Sequence, residues 1–423
     1  MPILGLQASL AGMTKTTVAP PAAIDDNGGD LAGPLGGTLG PIGFLLQGGD
    51  NASKFFSGND IGINGYDTSF GWFLNPLETL TGIAGVDLFF NAQRSDFPPG
   101  GSMAANPIYR AGGTFDWLAP GAAGGVLATP STWGNGSVMT GFAAWMVDIQ
   151  TSVAAARPWL IIRISGEEDS YLNTTAETNV YAAGNTEFVT RFRSHFGGRL
   201  AAKLPIFHVA PPEPGTFTTA VQAIRNAWQN QTQIAASNSY WGVGSTLDAA
   251  YDGVVTLTSA SLNQIAIRLA VRVSKWLYVN GYAVNNLAWL PSLGPRIVAV
   301  KRVTGATNQL DWVIQHDKGT DLIMPVSPVW DRFVVMDNGT RRTLTGLVRQ
   351  SPTVLRATLD AALVGTNVQI TGEYGLALSF DGAVTQITDN WHLLPKPALA
   401  ATVNHLDTLR MPLARSRAPL AVT

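Results

Sequence analysis

The chain has 423 residues, a formal net charge of −2, 46% apolar residues, 13% charged residues and no cysteine. That length allows two or three domains. The apolar fraction excludes an intrinsically disordered chain, and the missing cysteines exclude disulfides, thiol catalysis and zinc–thiolate sites. No basic cluster is present, which argues against a nucleic-acid partner. The low charge suits a protein packed against neighbouring subunits, although coding bias would give a similar composition.

Residues 1–40 hold many Gly, Pro and Ala and no periodicity, and are expected to form an extended arm. Within it the run Asp25 to Asp30 is turn-like, a solvated loop more readily than a cation site. The N-terminus lacks a basic start and a continuous apolar run, so no secretory leader is expected. No stretch reaches the length of a membrane span.

Pro41–Gln47 reads as a buried strand, and so does Gly85–Phe90. The stretch between them and on to residue 135, rich in Gly and aromatics, reads as loops. Gly141–Ala156 has helical apolar spacing and is followed by the strand Trp159–Ile164. A helix over Asn185–Leu200, a strand over Leu204–Val209, a helix over Thr218–Gln233, a short strand over Ser239–Val243 and a long helix over Ser259–Tyr278 complete the series. Alternating strands and helices predict an α/β domain over 41–285 with a parallel sheet and helices on both faces.

After Pro291 the runs become short and strand-like: 296–301, 309–315, 332–336, 354–358 and 368–374. Turn signals separate them, among them the Asn-Gly hairpin signal in Asp337-Asn338-Gly339. A small β-sandwich domain is expected over 291–395, and an extended tail over 396–423.

Three strings lie at strand ends or ahead of a helix, where open α/β sheets bind ligands. They are Gly48-Gly49-Asp50-Asn51, Ser165-Gly166-Glu167-Glu168-Asp169, and Asp252-Gly253-Val254-Val255. In order and spacing they resemble the SGNH hydrolases, and within them the sialate-O-acetylesterase-like carbohydrate esterases. The resemblance covers about residues 40–275 and implies an SGNH-like (flavodoxin-like) sheet with a crevice at its carboxyl edge. It also implies lost catalysis. Asp50 stands where the family has its nucleophilic Ser, Ser165 where it has Gln, and Val255 where it has the His base. Asp252 keeps the orienting acid. A hydroxyl nucleophile needs a base to take its proton, and neither Asp50 nor Val255 supplies these parts.

Three other readings of the crevice stay open. His208, at a strand end, is a candidate replacement base, though a structural histidine fits better. Asp50, Glu168, Asp169 and Asp252 together resemble a carboxylate or cation site, against structural roles such as helix capping by Asp50. Trp72, Trp117 and Trp133 suit a sugar-stacking platform, with core packing the more common use of such rings.

Degenerate SGNH domains followed by a β-sandwich look like surface proteins of tailed phages and gene-transfer particles, and the string Thr388-Asp389-Asn390-Trp391 is similar to endings of such proteins. That resemblance implies a virion spike, fibre or tail subunit assembled in the bacterial cytoplasm. It would form a homo-oligomer, contact other virion subunits and meet host surface polysaccharide, with no cofactor, no metal and no membrane insertion. An active carbohydrate O-acetylesterase with a displaced nucleophile is the alternative.

Overall fold

The computed structural model describes residues 42–48, 54–55, 69–83, 86–93, 118–119, 134–135, 140, 159–164, 187, 190–191, 194, 205–209, 239–241, 243, 249, 257–325, 333–372, 387–413 and 420–423. In chain order the first elements are β1 (Ile42–Gly48), α1 (Ser69–Thr81), β2 (Val86–Gln93), β3 (Leu118–Ala119), β4 (Gly134–Asn135), β5 (Trp159–Ile164), β6 (Ile206–Val209), β7 (Ser239–Trp241) and α2 (Ser259–Val279). There follow β8 (Arg296–Arg302), β9 (Gln309–Gln315), β10 (Leu322–Ile323), β11 (Phe333–Asp337), β12 (Thr340–Arg342), β13 (Leu344–Ser351), β14 (Val354–Leu359), β15 (Val368–Gly372), β16 (Thr388–Asp389) and β17 (Leu420–Ala421).

Strands β2, β1, β5, β6 and β7 form one parallel sheet in that order. Side chains alternate across a strand. Leu160, Ile162 and Ile164 of β5, with Phe207 and Val209 of β6, therefore turn to one face. There they share a core with α1 and α2. Ile161, Arg163, Ile206 and His208 occupy the opposite face and are also buried.

This arrangement corrects the expected fold class. An SGNH-like or flavodoxin-like domain needs helices on both faces of its sheet. The two α-helices with described bounds, α1 and α2, instead pack against each other on one face. Twelve of the seventeen described strands lie in antiparallel sheets, so the described chain is predominantly β. The alternation of apolar runs misleads because short apolar stretches read alike whether a helix or another strand covers them. The helices expected over 141–156 and 218–233 lie outside the described residues. In the stretch expected to be helical over 185–200, the described residues Glu187, Thr190, Arg191 and Ser194 are helical as expected, and Glu187 and Arg191 form an ion pair one turn apart at 2.6 Å. The N-terminal arm lies outside the described residues as well.

Helix α1 falls in the stretch read as loops. Gly71, Asn75 and Pro76 disguise it, since all three are poor helix-interior residues. Its signal is the spacing of Phe73, Leu77 and Leu80, all buried on one stripe. Helix α2 begins at a Thr258 cap, whose hydroxyl accepts from the Ser261 amide at 3.2 Å. It is buried on nearly every side, including Arg268, Arg272 and Lys275. Arg268 reaches the Arg410 carbonyl at 3.1 Å, and Lys275 donates to the carbonyls of Leu287 and Ala288 at 3.3 and 3.0 Å. No helix among the described residues is long and apolar enough to cross a membrane.

The sheets β12-β11-β15-β17 and β13-β14-β9-β8 share a second core around Trp312, Leu310, Leu355 and Ile370. The hairpin β11–β12 turns at Asn338 and Gly339, both at positive φ (47° and 82°), as a two-residue primed turn requires. Asp337 anchors it. Burial disfavours its charge, but the Arg342 guanidinium and the amides of Val364 and Gly365 hold its carboxyl below the usual range.

The described residues of 396–423, which are 396–413 and 420–423, pack into the fold, unlike the extended tail expected there. After a 3-10 turn at Ala398–Thr402, Val403, Leu406, Leu409 and Met411 enter the helical core, and Leu413 enters the β core. Their spacing changes from three residues to two along the stretch, so no single period marks the whole of it in the sequence. At the end, β17 pairs with β15, while Thr423 exchanges backbone bonds with β8 at 2.9 Å. The last four residues thus bridge the edges of the two antiparallel sheets.

Candidate functional site

Asp50, Asn51, Ser165, Glu167, Glu168, Asp169, Asp252, Val255, Trp117 and Trp133 lie outside the described residues. The strands that lead into the first two strings are described. β1 and β5 are paired so that Gly48 stands opposite Ile164, and their carboxyl ends finish level. His208 is opposite Arg163 across β5 and β6, and both are 0% exposed on the sheet face away from the helices. Trp72 projects from α1 onto the helical core, with its ring stacked on His405 (centroids 4.3 Å, 24°). That face of the ring is occupied by packing.

The polar constellation that the described structure does bring together is elsewhere, at Thr388–Trp391. Ile387 belongs to the β core and Trp391 to the helical core. The intervening residues cross between them as strand β16, antiparallel to β10. Asp389 donates its amide to the Met411 carbonyl at 3.1 Å, and its Oδ1 accepts from the Trp391 amide at 3.1 Å. Asn390 donates its amide to the Asp321 carbonyl at 3.0 Å. Its Oδ1 accepts from the amides of Thr320 and Asp321 at 2.8 and 3.1 Å. Trp391 stacks on Trp289 (6.2 Å, 13°), donates its indole N–H to the Trp289 carbonyl, and carries Lys396 over its ring at 4.8 Å.

Asp389 is 0% exposed, and its Oδ2 has no regular hydrogen bond. Gly319 lies against it so closely that a Cβ there would overlap the carboxylate. The Gly319 amide acts on the charge without the geometry of a full hydrogen bond. Burial, reinforced by the neighbouring Asp317, pushes the Asp389 carboxyl up to about 7. The amides of Trp391 and Gly319, and Lys396, oppose the rise. Asp317 itself accepts a hydrogen bond from the Ser292 amide. On the helix side Lys275 is lowered to about 8, by burial and then by Lys318 and Arg272, against Asp317. His392 and Lys396 are lowered as well, both chiefly by burial.

Asp389 and Lys275 are thereby brought closest to neutrality, one from below and one from above. The set presents no hydroxyl–imidazole pair for nucleophilic attack. Among the described residues no three His, Asp or Glu side chains come close enough to hold a metal ion. The sequence marked Thr388–Trp391 by resemblance alone. The physical signal was a single acid set between Ile387 and Trp391, two residues bound for cores.

No family profile matches the chain, and no curated protein does. Among solved structures, the N-terminal part of the bacterial S-layer protein SbsC is 10% identical over 68% of this chain and 68% of its own, with a TM-score of 0.20. The S-layer protein rSbsC(31-844) is 13% identical over 67% of this chain and 32% of its own, with a TM-score of 0.19. Similarity at that level carries no conclusion about fold or role.

Proposed function

We propose that this chain is a non-catalytic virion surface subunit, of a spike, fibre or tail, that binds host surface glycan or scaffolds neighbouring subunits. One observation carries the non-catalytic part: Asp50 and Val255 stand where the resemblance to carbohydrate esterases calls for Ser and His. An acid in place of the hydroxyl and an aliphatic in place of the base leave no proton relay.

Two measurements test the reading. The first is hydrolysis of acetylated sugars and of p-nitrophenyl acetate by the full chain, with Asp50→Ala and Asp252→Ala alongside. All three proteins should remain at the buffer rate. Turnover that disappears in either variant would establish an esterase with a displaced nucleophile. The second is mass by light scattering: a spike or fibre subunit forms a stable closed oligomer, and a monomer across the micromolar range would remove the assembly role.

A further inference from the structure

The crossing between the two cores is built around a carboxyl group that has no route to water. We infer that Thr388–Trp391 is a proton-operated clamp: neutral Asp389 lets the 317–321 loop close over the seam, and ionised Asp389 loosens that loop.

The geometry supplies each part. Asp389 is sealed at 0% exposure, with one oxygen bonded to the Trp391 amide and the other facing Gly319. A neutral carboxyl costs less to bury there than a carboxylate, which needs more donors or water. The element covering Oδ2 is irregular backbone with no side chain at Gly319, so it is the cheapest part to displace. The loop is held at its ends. Thr320 and Asp321 carry the bonds to Asn390, through their amides, the Thr320 hydroxyl and the Asp321 carbonyl, and Asp317 accepts from Ser292. Asp321 is paired with Arg349 at 2.7 Å, which fixes the far end of the loop to β13. Opening is thereby confined to 317–320.

Asp317 and Lys396 act on Asp389 itself and set where the clamp releases, and the other charges of the packed elements act on Lys275, Lys396 and His392. From the loop come Asp317, which disfavours ionisation, and Lys318, which acts on Lys275. From the turn after Trp391 come Lys396, which favours ionisation, and His392. From 403–413 come Asp407, acting on Lys396, and Arg410, acting on His392. From α2 come Lys275 and Arg272. Burial outweighs the favourable groups, so the folded carboxyl holds its proton more tightly than the opened one. The closed state is then fullest in acid and weakens as pH rises through the folded-state value. The change runs at about tenfold per pH unit and levels off once the closed form is ionised.

The test is amide hydrogen exchange of 317–322 in the full chain at pH 5, 6, 7 and 8, corrected for intrinsic exchange. Protection is expected to fall about tenfold per unit between pH 5 and 7 and then flatten. Asp389→Asn should remove the dependence. Two further variants keep the test open if that one fails to fold. Asp317→Asn should move the levelling-off point to lower pH, and Lys396→Met should move it higher. Flat protection in the parent chain, the same slope in Asp389→Asn, or an unmoved levelling-off point in both charge variants would overturn the clamp.

Discussion

Replacing Asp389 by Asn should change global stability with a sign that depends on pH. The carboxyl rises from its ordinary 3.8 to about 7 on folding. Three units at about 1.4 kcal/mol each correspond to about 4 kcal/mol of stability lost in the parent chain at pH 8. The folded-state value is raised, so this loss is absent below about pH 4, grows from there, and is complete above the folded value. Asn keeps the acceptor for the Trp391 amide but turns an amide group toward Gly319, a cost of about 1 kcal/mol. Asp389→Asn is therefore expected to stabilise by about 3 kcal/mol at pH 8 and to destabilise by about 1 kcal/mol at pH 4. Urea unfolding at both pH values, with unchanged m, measures this directly. An equal effect at the two pH values would refute the reasoning, because burial of a titrating charge would then not be what Asp389 contributes.

Three other substitutions probe the surrounding structure. Trp391→Ala should cost about 4 kcal/mol by urea unfolding at pH 6, since the ring is almost fully buried against Trp289 and the helical core; a loss under 1 kcal/mol would contradict the bridging role. Gly319→Ala should cost about 2 kcal/mol at the same pH, because its Cβ would overlap the Asp389 carboxyl, and an unchanged unfolding midpoint would show that the loop is not held there. Asp337→Ala should cost about 3 kcal/mol at pH 7, leaving Arg342 and two amides without their acceptor. The Asp337 carboxyl is lowered on folding, so in the parent chain its contribution is present at neutral pH and disappears as pH falls through the folded value. Unfolding at pH 7 and pH 2 should show the variant's deficit shrinking in acid.

What was legible in the sequence followed from strong local signals. Helix α2 is 21 residues long with a hydroxyl cap, and its apolar spacing is unambiguous. The Asn338-Gly339 turn fixes its own backbone. The strands β1, β5 and β6 are short apolar runs, and their existence could be read from the chain. What covers them could not, because Ile161 and Ile162 look alike although they face opposite sides. Helix α1 was hidden by Pro76, whose local cost is outweighed by the burial of Phe73, Leu77 and Leu80. The site was less legible still. Asp389 is special only because Gly319, Met411 and Trp391 meet it, and they come from three separate stretches of the chain. No spacing rule brings positions 319 and 389 together.

The seam also bears on how the molecule unfolds. The chain crosses between the two cores three times, from Leu290 to Ile297, from Ile387 to Trp391 and from Met411 to Leu413. The last two crossings are bonded to each other: Asp389 donates to the Met411 carbonyl at 3.1 Å, Leu413 donates to the Ile387 carbonyl at 2.8 Å, and Thr388 is bridged to Pro412. Melting the β core alone would pull Ile387 and Leu413 away from their partners and break both bonded crossings within two residues of Trp391 and Met411. Those two side chains are part of the helical core, so its edge would be lost in the same step. Calorimetry of the full chain at pH 5 should therefore show the two cores unfolding in one transition, with the van't Hoff enthalpy matching the calorimetric one. Above pH 7, with Asp389 ionised and the loop over it loosened, the same coupling is weakest. If the cores separate into two transitions at any pH, they should do so there, and Asp389→Asn should restore the single one. Two transitions already present at pH 5 would mean that the paired crossings do not tie the cores together.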